Sequence, residues 1–377
     1  MAQVTSDDRQ PALLMAKRLS ETKGKHILWM DLIQFKFGRG EAVYYSVDVD
    51  TNSTGWNRLE EVSKMMENLK QFVEADARKP RDERIDSVLW NLEYYNEPTQ
   101  EMWEILNGLS PPKHLRLAVG FFEDCYVEPL EAFHHQWNNL DTLTLDGICD
   151  NDFIERVPNV FSGIPSLTLD LCCGLDFIPP TATRLKHLCI LDNNACEMFI
   201  CGVDHNPYFA QVLEVFEIES TNGCDFQSGY EPQDFRDRLR KCTNLREFRF
   251  AAAYQDSLDT DLVSYIPPSV EKLTLRFTRS LPFLQDINEW IKCASDRTWL
   301  PHLKSLQLTI DPESRVGGLE GEVVEPWPRE WTQRLENPPR EFTSEAFDME
   351  FEGKRIVLYD VLKSTRPSID LLFEPLL

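Results

Sequence analysis

The sequence lacks the local signatures that mark several common classes of protein. No apolar run approaches the roughly 20 residues that cross a bilayer. There is no G-x-G-x-x-G, no Gly-rich phosphate loop ending in Lys, no G-x-S-x-G, no His-Glu-x-x-His and no C-x-x-C pair. We therefore predict no catalytic residue, no cofactor and no metal.

Basic residues are in short supply. The chain has 39 Lys and Arg against 63 Asp and Glu, which gives a formal net charge of −24. Such a chain repels phosphate groups, so neither nucleic acid nor an anionic membrane is an expected partner, whereas a protein with a basic segment is. The N-terminus has none of the features of a signal peptide, and ten scattered cysteines indicate reduced thiols. The expected location is the cytoplasm or the nucleus.

One spacing of apolar residues recurs along the middle of the chain. Apolar residues occupy the first, fourth and sixth positions of a motif, as in Leu140-x-x-Leu143-x-Leu145. Nine copies begin at residues 85, 112, 140, 164, 185, 213, 245, 270 and 303, at intervals of 21 to 33 residues. The alternating apolar positions predict short strands with one buried face. Their recurrence predicts stacked repeats that share one core.

The segments between these strands show helical patterns, at residues 99–109, 129–137, 232–242 and 284–294. Strands separated by helices pair in parallel, because antiparallel neighbours need only a turn. We therefore predict an α/β fold, a curved solenoid with parallel strands on the concave face and helices on the convex face. Its predicted parts are an irregular N-terminal region with degenerate first repeats (1–84), the solenoid (85–311), an acidic Pro/Gly linker (312–346) and a hairpin-like cap (347–377).

The repeats resemble the leucine-rich repeat family, and more closely the irregular repeats of fungal F-box-type proteins. The resemblance covers roughly residues 85–311 and rests on Leu140-Asp-Thr-Leu-Thr-Leu-Asp146, Arg184-Leu-Lys-His-Leu-Cys-Ile-Leu-Asp192 and His302-Leu-Lys-Ser-Leu-Gln-Leu308. It implies a protein-binding scaffold, similar to the substrate receptors of ubiquitin ligases. It also implies that the ninth motif position, here Cys172 or Asn193, bonds neighbouring backbone. We find no F-box in the chain, so a Skp-type adaptor is not an expected partner.

The predicted binding surface follows from the alternation of side chains along each strand. Third, fifth and seventh motif positions should face the hollow of the solenoid, because the first, fourth and sixth face the core. Acidic residues predominate in the middle of this surface and basic residues at one end. The predicted partner-binding residues are Asp146, Asp170, Asp192, Glu217, Glu219, Lys272 and Arg276.

The sequence also allows two alternatives to a binding scaffold. Cys196, Cys201 and His205, with Cys189 nearby, form the most metal-like cluster, but their spacing is unusual for zinc and packed thiols explain them better. The second alternative is an enzyme with an unrecognised active site in the concave face or the N-terminal region. Such a site requires titratable groups that converge in a pocket, which spacing alone does not reveal.

Overall fold

Every copy of the apolar motif forms a strand in the computed structural model of the chain. The strands β1 to β12 are His26–Asp31, Val43–Asp48, Ser87–Asn91, His114–Ala118, Thr142–Asp146, Ser166–Asp170, His187–Leu191, Val215–Ser220, Glu247–Ala252, Lys272–Thr278, Ser305–Asp311 and Asp370–Phe373. β3 to β11 coincide with the nine motif copies. The strands predicted from the spacing are therefore confirmed.

Helices lie between many of the strands. The helices α1 to α8 are Arg58–Ala77, Gln100–Leu106, Ala195–His205, Pro207–Val212, Pro232–Leu239, Leu262–Tyr265, Leu281–Ser295 and Ser344–Thr365, and Arg81–Glu83 is a 3-10 turn. Three of the four predicted helices are confirmed by α2, α5 and α7.

The structure describes residues 23–31, 43–48, 58–91, 100–109, 111–118, 140–147, 161–170, 172, 182–191, 195–220, 230–252, 262–278, 281–311 and 344–373. The helix predicted at 129–137 and nearly all of the predicted linker lie outside these residues. Within them, no helix is both long enough and apolar enough to cross a membrane.

The chain divides into two compact units. Unit 1 comprises residues 1–190 and 201–209, and unit 2 comprises residues 191–200 and 210–377. The strand order is β2-β1-β3-β4-β5-β6-β7 in unit 1 and β8-β9-β10-β11-β12 in unit 2. All nine strand pairs for which the structure gives a register are parallel, which confirms the predicted α/β fold with a parallel sheet. β2 departs from chain order, because β3 pairs with β1 and leaves β2 at the edge.

The strands are aligned so that equivalent motif positions pair. Leu115 pairs with Leu143 and Leu143 with Leu167, all at the fourth motif position. In unit 2 the fourth position is again in register, from Phe216 through Phe248. All of these side chains are buried. We call the face that carries the first, fourth and sixth positions the inner face, and the face that carries the third, fifth and seventh positions the ladder face.

A repeated backbone contact sets this alignment. The carbonyl at the second motif position accepts hydrogen bonds from two successive N–H groups at the start of the next strand. In unit 1, Asp86 accepts from Lys113 and His114 at 2.8 and 3.2 Å. The same pair of bonds recurs at the carbonyls of Lys113, Pro165, Glu214, Arg246 and Glu271. The repeats therefore share a backbone geometry as well as an apolar pattern.

Aromatic rings fill the inner face of unit 2. Phe199 of α3 stacks on Phe216 of β8, with 4.4 Å between ring centroids, and meets Phe235 of α5 edge-on at 5.5 Å. Phe216 in turn stacks on Phe248 of β9 at 5.7 Å. Such ring pairs add about 0.5–1.5 kcal/mol each to the free energy gained by burial. Helices α3 and α5 are thereby held against the inner face of the sheet.

The hairpin predicted within residues 347–377 is wrong. Residues 344–365 form the single helix α8, which packs along α7. Phe351, Leu358 and Leu362 are buried, and their spacing of seven and four residues places them on one helical face. A short alternation of apolar residues suggested strands, but the helical spacing of the buried residues determines the structure.

A degenerate tenth copy of the motif follows α8. β12 pairs with β11 so that Leu371 aligns with Leu306 and Phe373 with Leu308. The alignment places Ser368 at the first motif position, where an apolar residue would normally stand. The apolar spacing is incomplete for that reason, and the sequence pattern misses this strand.

Arg366 joins the end of α8 to the end of α7. Its guanidinium donates to the carbonyl oxygens of Ala294 and Asp296, each at 3.1 Å, and also to that of Trp299. It lies 5.5 Å from the centre of the Trp299 ring. Carbonyls at a helix C-terminus have no partner within the helix, so a cation there satisfies them.

Two glycines, one in α8 and one just before β1, test the backbone in opposite ways. Gly353 lies inside α8, with nothing within 4 Å of the position that a Cβ would occupy. Gly353→Ala should therefore raise the free energy of unfolding by about 0.5–1 kcal/mol, because alanine favours the helix.

Gly24→Ala is the opposite control, because Gly24 has a φ of +121° and its Cβ would lie 2.5 Å from that of Ser87. This substitution should destabilise the protein. Urea unfolding measures both changes. A loss of stability in Gly353→Ala would contradict a continuous helix.

Candidate functional site

The ladder face brings polar side chains of neighbouring repeats into rows. In unit 1, Arg116 is at the fifth motif position of β4, and Asp146 and Asp170 are at the seventh positions of β5 and β6. Ala118 is directly opposite Asp146, so Arg116 reaches this carboxylate diagonally. Diagonal neighbours on one face of a sheet are within reach of a long side chain. The register therefore assembles an ionic cluster from three repeats.

This cluster is buried. Arg116, Asp146 and Asp170 are 5, 3 and 5 % exposed. The Arg116 Nη2 donates to Asp146 Oδ2 at 2.6 Å and to Asp170 Oδ2 at 3.3 Å, and its Nε donates to Asp146 at 3.2 Å. Two of the predicted partner-binding residues are therefore held within the chain by a guanidinium, and are not solvent-facing charges. Alternation places them on the correct face of the strand, but it does not reveal that this part of the face is covered.

Two histidines extend the polar contacts of unit 1. The His114 Nδ1 is 2.8 Å from Thr142 Oγ1, and the His187 Nδ1 is 3.2 Å from Ser166 Oγ. These four residues share the third motif position of β4 to β7. Burial lowers the pKa of His114 below its usual value, against the opposing effect of the nearby carboxylates of Asp86 and Asp141.

The ladder face of unit 2 has exposed charges. Arg249 of β9 donates to Glu217 of β8 at 3.2 Å and to Glu247 at 2.6 Å. The Lys272 Nζ is 3.9 Å from Glu247, and Lys272 is largely exposed. These contacts form a surface network of ion pairs, and each pair contributes little to stability because water screens it. The predicted residues Glu217 and Lys272 both belong to this network.

The remaining predicted residues have different outcomes. Glu219 and Arg276 are exposed, and the register places them at either side of Ala251. Asp192 lies outside the described residues. The sequence interpretation placed Arg116, Glu247 and Arg249 on the face toward the hollow, but did not include them among the partner-binding residues. Each could have been recognised from the sequence as an ion-pair partner, because an opposite charge stands at the same or a diagonal motif position in the neighbouring repeat.

The thiols provide no assembled metal site in the described part of the chain, where no three metal-binding side chains converge. Cys196 is buried, and the His205 ring hydrogen-bonds the Cys201 carbonyl one helical turn away at 2.8 Å. Cys172 at the ninth motif position lies 3.3 Å from the Leu145 carbonyl, as the family resemblance implies. Burial raises the pKa of Cys242 to about 12, so this thiol is not a nucleophile at neutral pH.

Charge removal should distinguish the buried cluster from the exposed network. We expect Arg116→Met to lower the free energy of unfolding by about 3–5 kcal/mol, because it leaves two buried carboxylates without their guanidinium. Arg249→Met, a matched change on the exposed network, should cost about 0–1 kcal/mol. Equal shifts of the two urea midpoints would contradict the assignment of one cluster as buried and the other as exposed.

The lowered pKa of His114 makes a pH prediction. The unfolded chain binds a proton at His114 near pH 6.5, whereas the folded chain binds it only at lower pH. Stability from this group is therefore lost as the pH falls through about 6.5 toward the lower folded pKa. His114→Asn should lose less stability than the unmodified protein between about pH 7.5 and 5.5.

The exposed His302 provides the control for this comparison. Urea unfolding at both pH values measures the difference. If His302→Asn reduces the pH dependence as much as His114→Asn, the assignment to His114 fails.

No model of a known protein family matches the sequence, and no curated protein matches it. The likeness to leucine-rich repeats therefore rests on the motif spacing, the parallel register and the shared backbone contacts. Any function must be argued from the surfaces that these repeats present.

Proposed function

We propose that the chain is a leucine-rich-repeat-like solenoid that binds a protein partner through the ladder face of unit 2. In this proposal the strands line a concave face and the helices a convex one. The observation that carries it is the division of the two faces in β8 to β10. Apolar side chains at the fourth and sixth positions are buried, whereas charged side chains at the third, fifth and seventh positions are exposed or half-buried.

The repeat character supports this proposal at the level of the backbone. In six places the second-position carbonyl accepts two N–H groups of the next repeat, and the register aligns equivalent positions. Stacked repeats present long, ordered rows of side chains, and partners of repeat proteins commonly bind to such rows. The resemblance to F-box-type repeats extends the proposal to a substrate-receptor-like role in the cytoplasm or nucleus.

The charges on this surface indicate the chemistry of the partner. Glu217 and Glu219 extend from β8, and Lys272 and Arg276 from β10 two strands away. A complementary partner carries a basic group opposite β8 and an acidic group opposite β10. Such complementarity mainly raises the association rate and fixes orientation. Since Asp146 and Asp170 are buried, the proposed attraction is limited to the exposed charges of unit 2.

Charge reversal tests the proposed surface. A partner is first isolated by affinity capture with the full chain and then purified, and its association rate is measured. Glu217→Lys with Glu219→Lys should slow association by about tenfold at low salt, and the difference from the unmodified protein should shrink as salt rises.

The control reverses two charges on helices of the same unit, Asp237→Lys in α5 and Glu289→Lys in α7. This variant should associate at the unmodified rate. The proposal is abandoned if the β8 reversals leave the association rate unchanged, or if the helix reversals slow it equally.

A further inference from the structure

Unit 2 contains a basic stretch in an otherwise acidic chain. Residues 236–249 include six Arg and Lys against two Asp and Glu, whereas the whole chain has 39 against 63. The stretch runs from the last turns of α5 through a short connection into β9. Its exposed cations outside the ladder face are Arg240, Lys241 and Arg246. We call these three residues the basic patch.

The guanidinium of Arg240 is held in one place by the next repeat. Its Nη2 donates to the Ser264 carbonyl of α6 at 3.4 Å, and the guanidinium lies 3.8 Å from the centre of the Tyr265 ring. Arg236, one turn earlier on α5, is buried 5.4 Å from the same ring and adds a second positive charge. A stacked arginine presents its remaining N–H groups as a planar fork that matches a carboxylate. Arg240 is therefore oriented for an acidic ligand before the ligand binds, which lowers the entropy lost on binding.

The connection between α5 and β9 brings the other two cations to the same corner of unit 2. The Thr243 N–H donates to the Lys241 carbonyl at 2.9 Å, and the Leu245 N–H donates to the Cys242 carbonyl at 3.1 Å. These turns keep the backbone between α5 and β9 compact. Arg246 follows directly at the start of β9. The three charges of the basic patch are thus close enough along the backbone to act on one ligand.

The carboxylates on the surrounding elements are mostly bound by other groups. The described carboxylates that precede β8 or lie on α5, β9 and the start of β10 are Glu214, Glu231, Asp234, Asp237, Glu247 and Glu271. Three of them form ion pairs with cations outside the patch: Asp234 with Arg238, Glu247 with Arg249, and Glu271 with Lys304. Glu231 caps the start of α5, and Glu214 is half-buried. Asp237 accepts from the Gln233 amide at 2.8 Å.

The cations of the basic patch have no such partners. None of the three forms an ion pair with a residue that the structure describes. Asp237 is exposed one turn before Arg240, so it offsets one of the three charges at most. At the end of α7, Asp296 accepts from Thr298, and Arg297 adds a further exposed cation. The corner therefore keeps a positive charge that the chain does not neutralise.

From these observations we infer that the basic patch binds an acidic segment of another protein through its Asp or Glu carboxylates. Arg240 supplies a fixed fork for one carboxylate, and Lys241 and Arg246 attract the carboxylates beside it. The patch is distinct from the ladder face, so binding here does not depend on the partner proposed above.

A short acidic segment fits the patch better than a nucleic acid does. Double-stranded DNA carries one charge per roughly 1.7 Å of its axis, so it extends well beyond a patch of three cations. The phosphates beyond the patch would then face a chain with a net charge of −24. A short peptide confines its charge to the patch and avoids this repulsion.

Fluorescence anisotropy of labelled hexaglutamate with the full chain tests the inference, and hexaglutamine is the uncharged probe. Salt at about 0.1 M is suitable, because a Debye length of about 10 Å screens distant acidic residues more than direct contacts. We expect hexaglutamate to bind and hexaglutamine not to bind. A triple variant with Arg240→Gln, Lys241→Gln and Arg246→Gln should weaken the binding by about tenfold or more.

A second triple variant is matched in charge. Lys70→Gln, Arg78→Gln and Arg81→Gln remove three exposed cations from unit 1 and should leave the binding unchanged. Arg240→Lys keeps the charge of the patch but removes the planar fork, so it should weaken the binding by about threefold. All of these positions are exposed, and unchanged thermal midpoints verify that each variant is folded.

Four results would overturn the inference. The first is no binding of hexaglutamate by the unmodified chain, and the second is binding that the patch variant leaves unchanged. The third is equal weakening by the two triple variants, which would show a response to net charge alone. The fourth is tighter binding of an oligonucleotide with the same number of charges, which would identify a surface for nucleic acid.

Discussion

In six of the repeats, one backbone carbonyl determines where the next strand begins. It lies at the second motif position and accepts two N–H groups of the following repeat, in unit 1 and in unit 2 alike. Side chains alternate along a strand, so a slip of one residue would move every buried leucine to the solvent side. The double contact prevents this slip at the start of the strand. The buried rows of apolar side chains then follow from the alignment.

The ionic cluster of unit 1 depends on the same alignment. Arg116 meets Asp146 because the fifth position of one strand is diagonal to the seventh position of the next, and Asp170 lies directly beside Asp146 one strand further on. A buried charge without a partner costs several kcal/mol, so replacing any one of the three residues leaves an unpaired charge in the protein. The network around Arg249 has no such requirement, because water solvates any charge left unpaired. The choice of residue at these motif positions is therefore constrained in unit 1. In unit 2 the charged residues can exchange ion-pair partners.

The strands could be predicted because their signal is local and repeated, and the helices α2, α5 and α7 could be predicted for the same reason. The burial of Asp146 and Asp170 could not, because alternation identifies a face but not what covers it. The order β2-β1-β3 also depends on contacts between distant segments. α8 was misinterpreted because a few alternating apolar residues are compatible with a strand and with a helix. Its contact with α7 selects the helix, and no short stretch of sequence contains that information.

Arg366 has a consequence for how unit 2 opens to solvent. Its guanidinium binds carbonyls of Ala294, Asp296 and Trp299, which lie some 70 residues earlier in the chain. If α8 separates from α7, all three carbonyls lose the Arg366 guanidinium at the same moment, and the carbonyl of Ala294 also loses the Thr365 hydroxyl. The end of α7 and the end of α8 therefore form one cooperative opening unit, and their backbone amides should exchange hydrogen with a common free energy. Fraying of the two helix ends is then a cooperative event, in which Arg366 and Thr365 lose their bonds to α7 together.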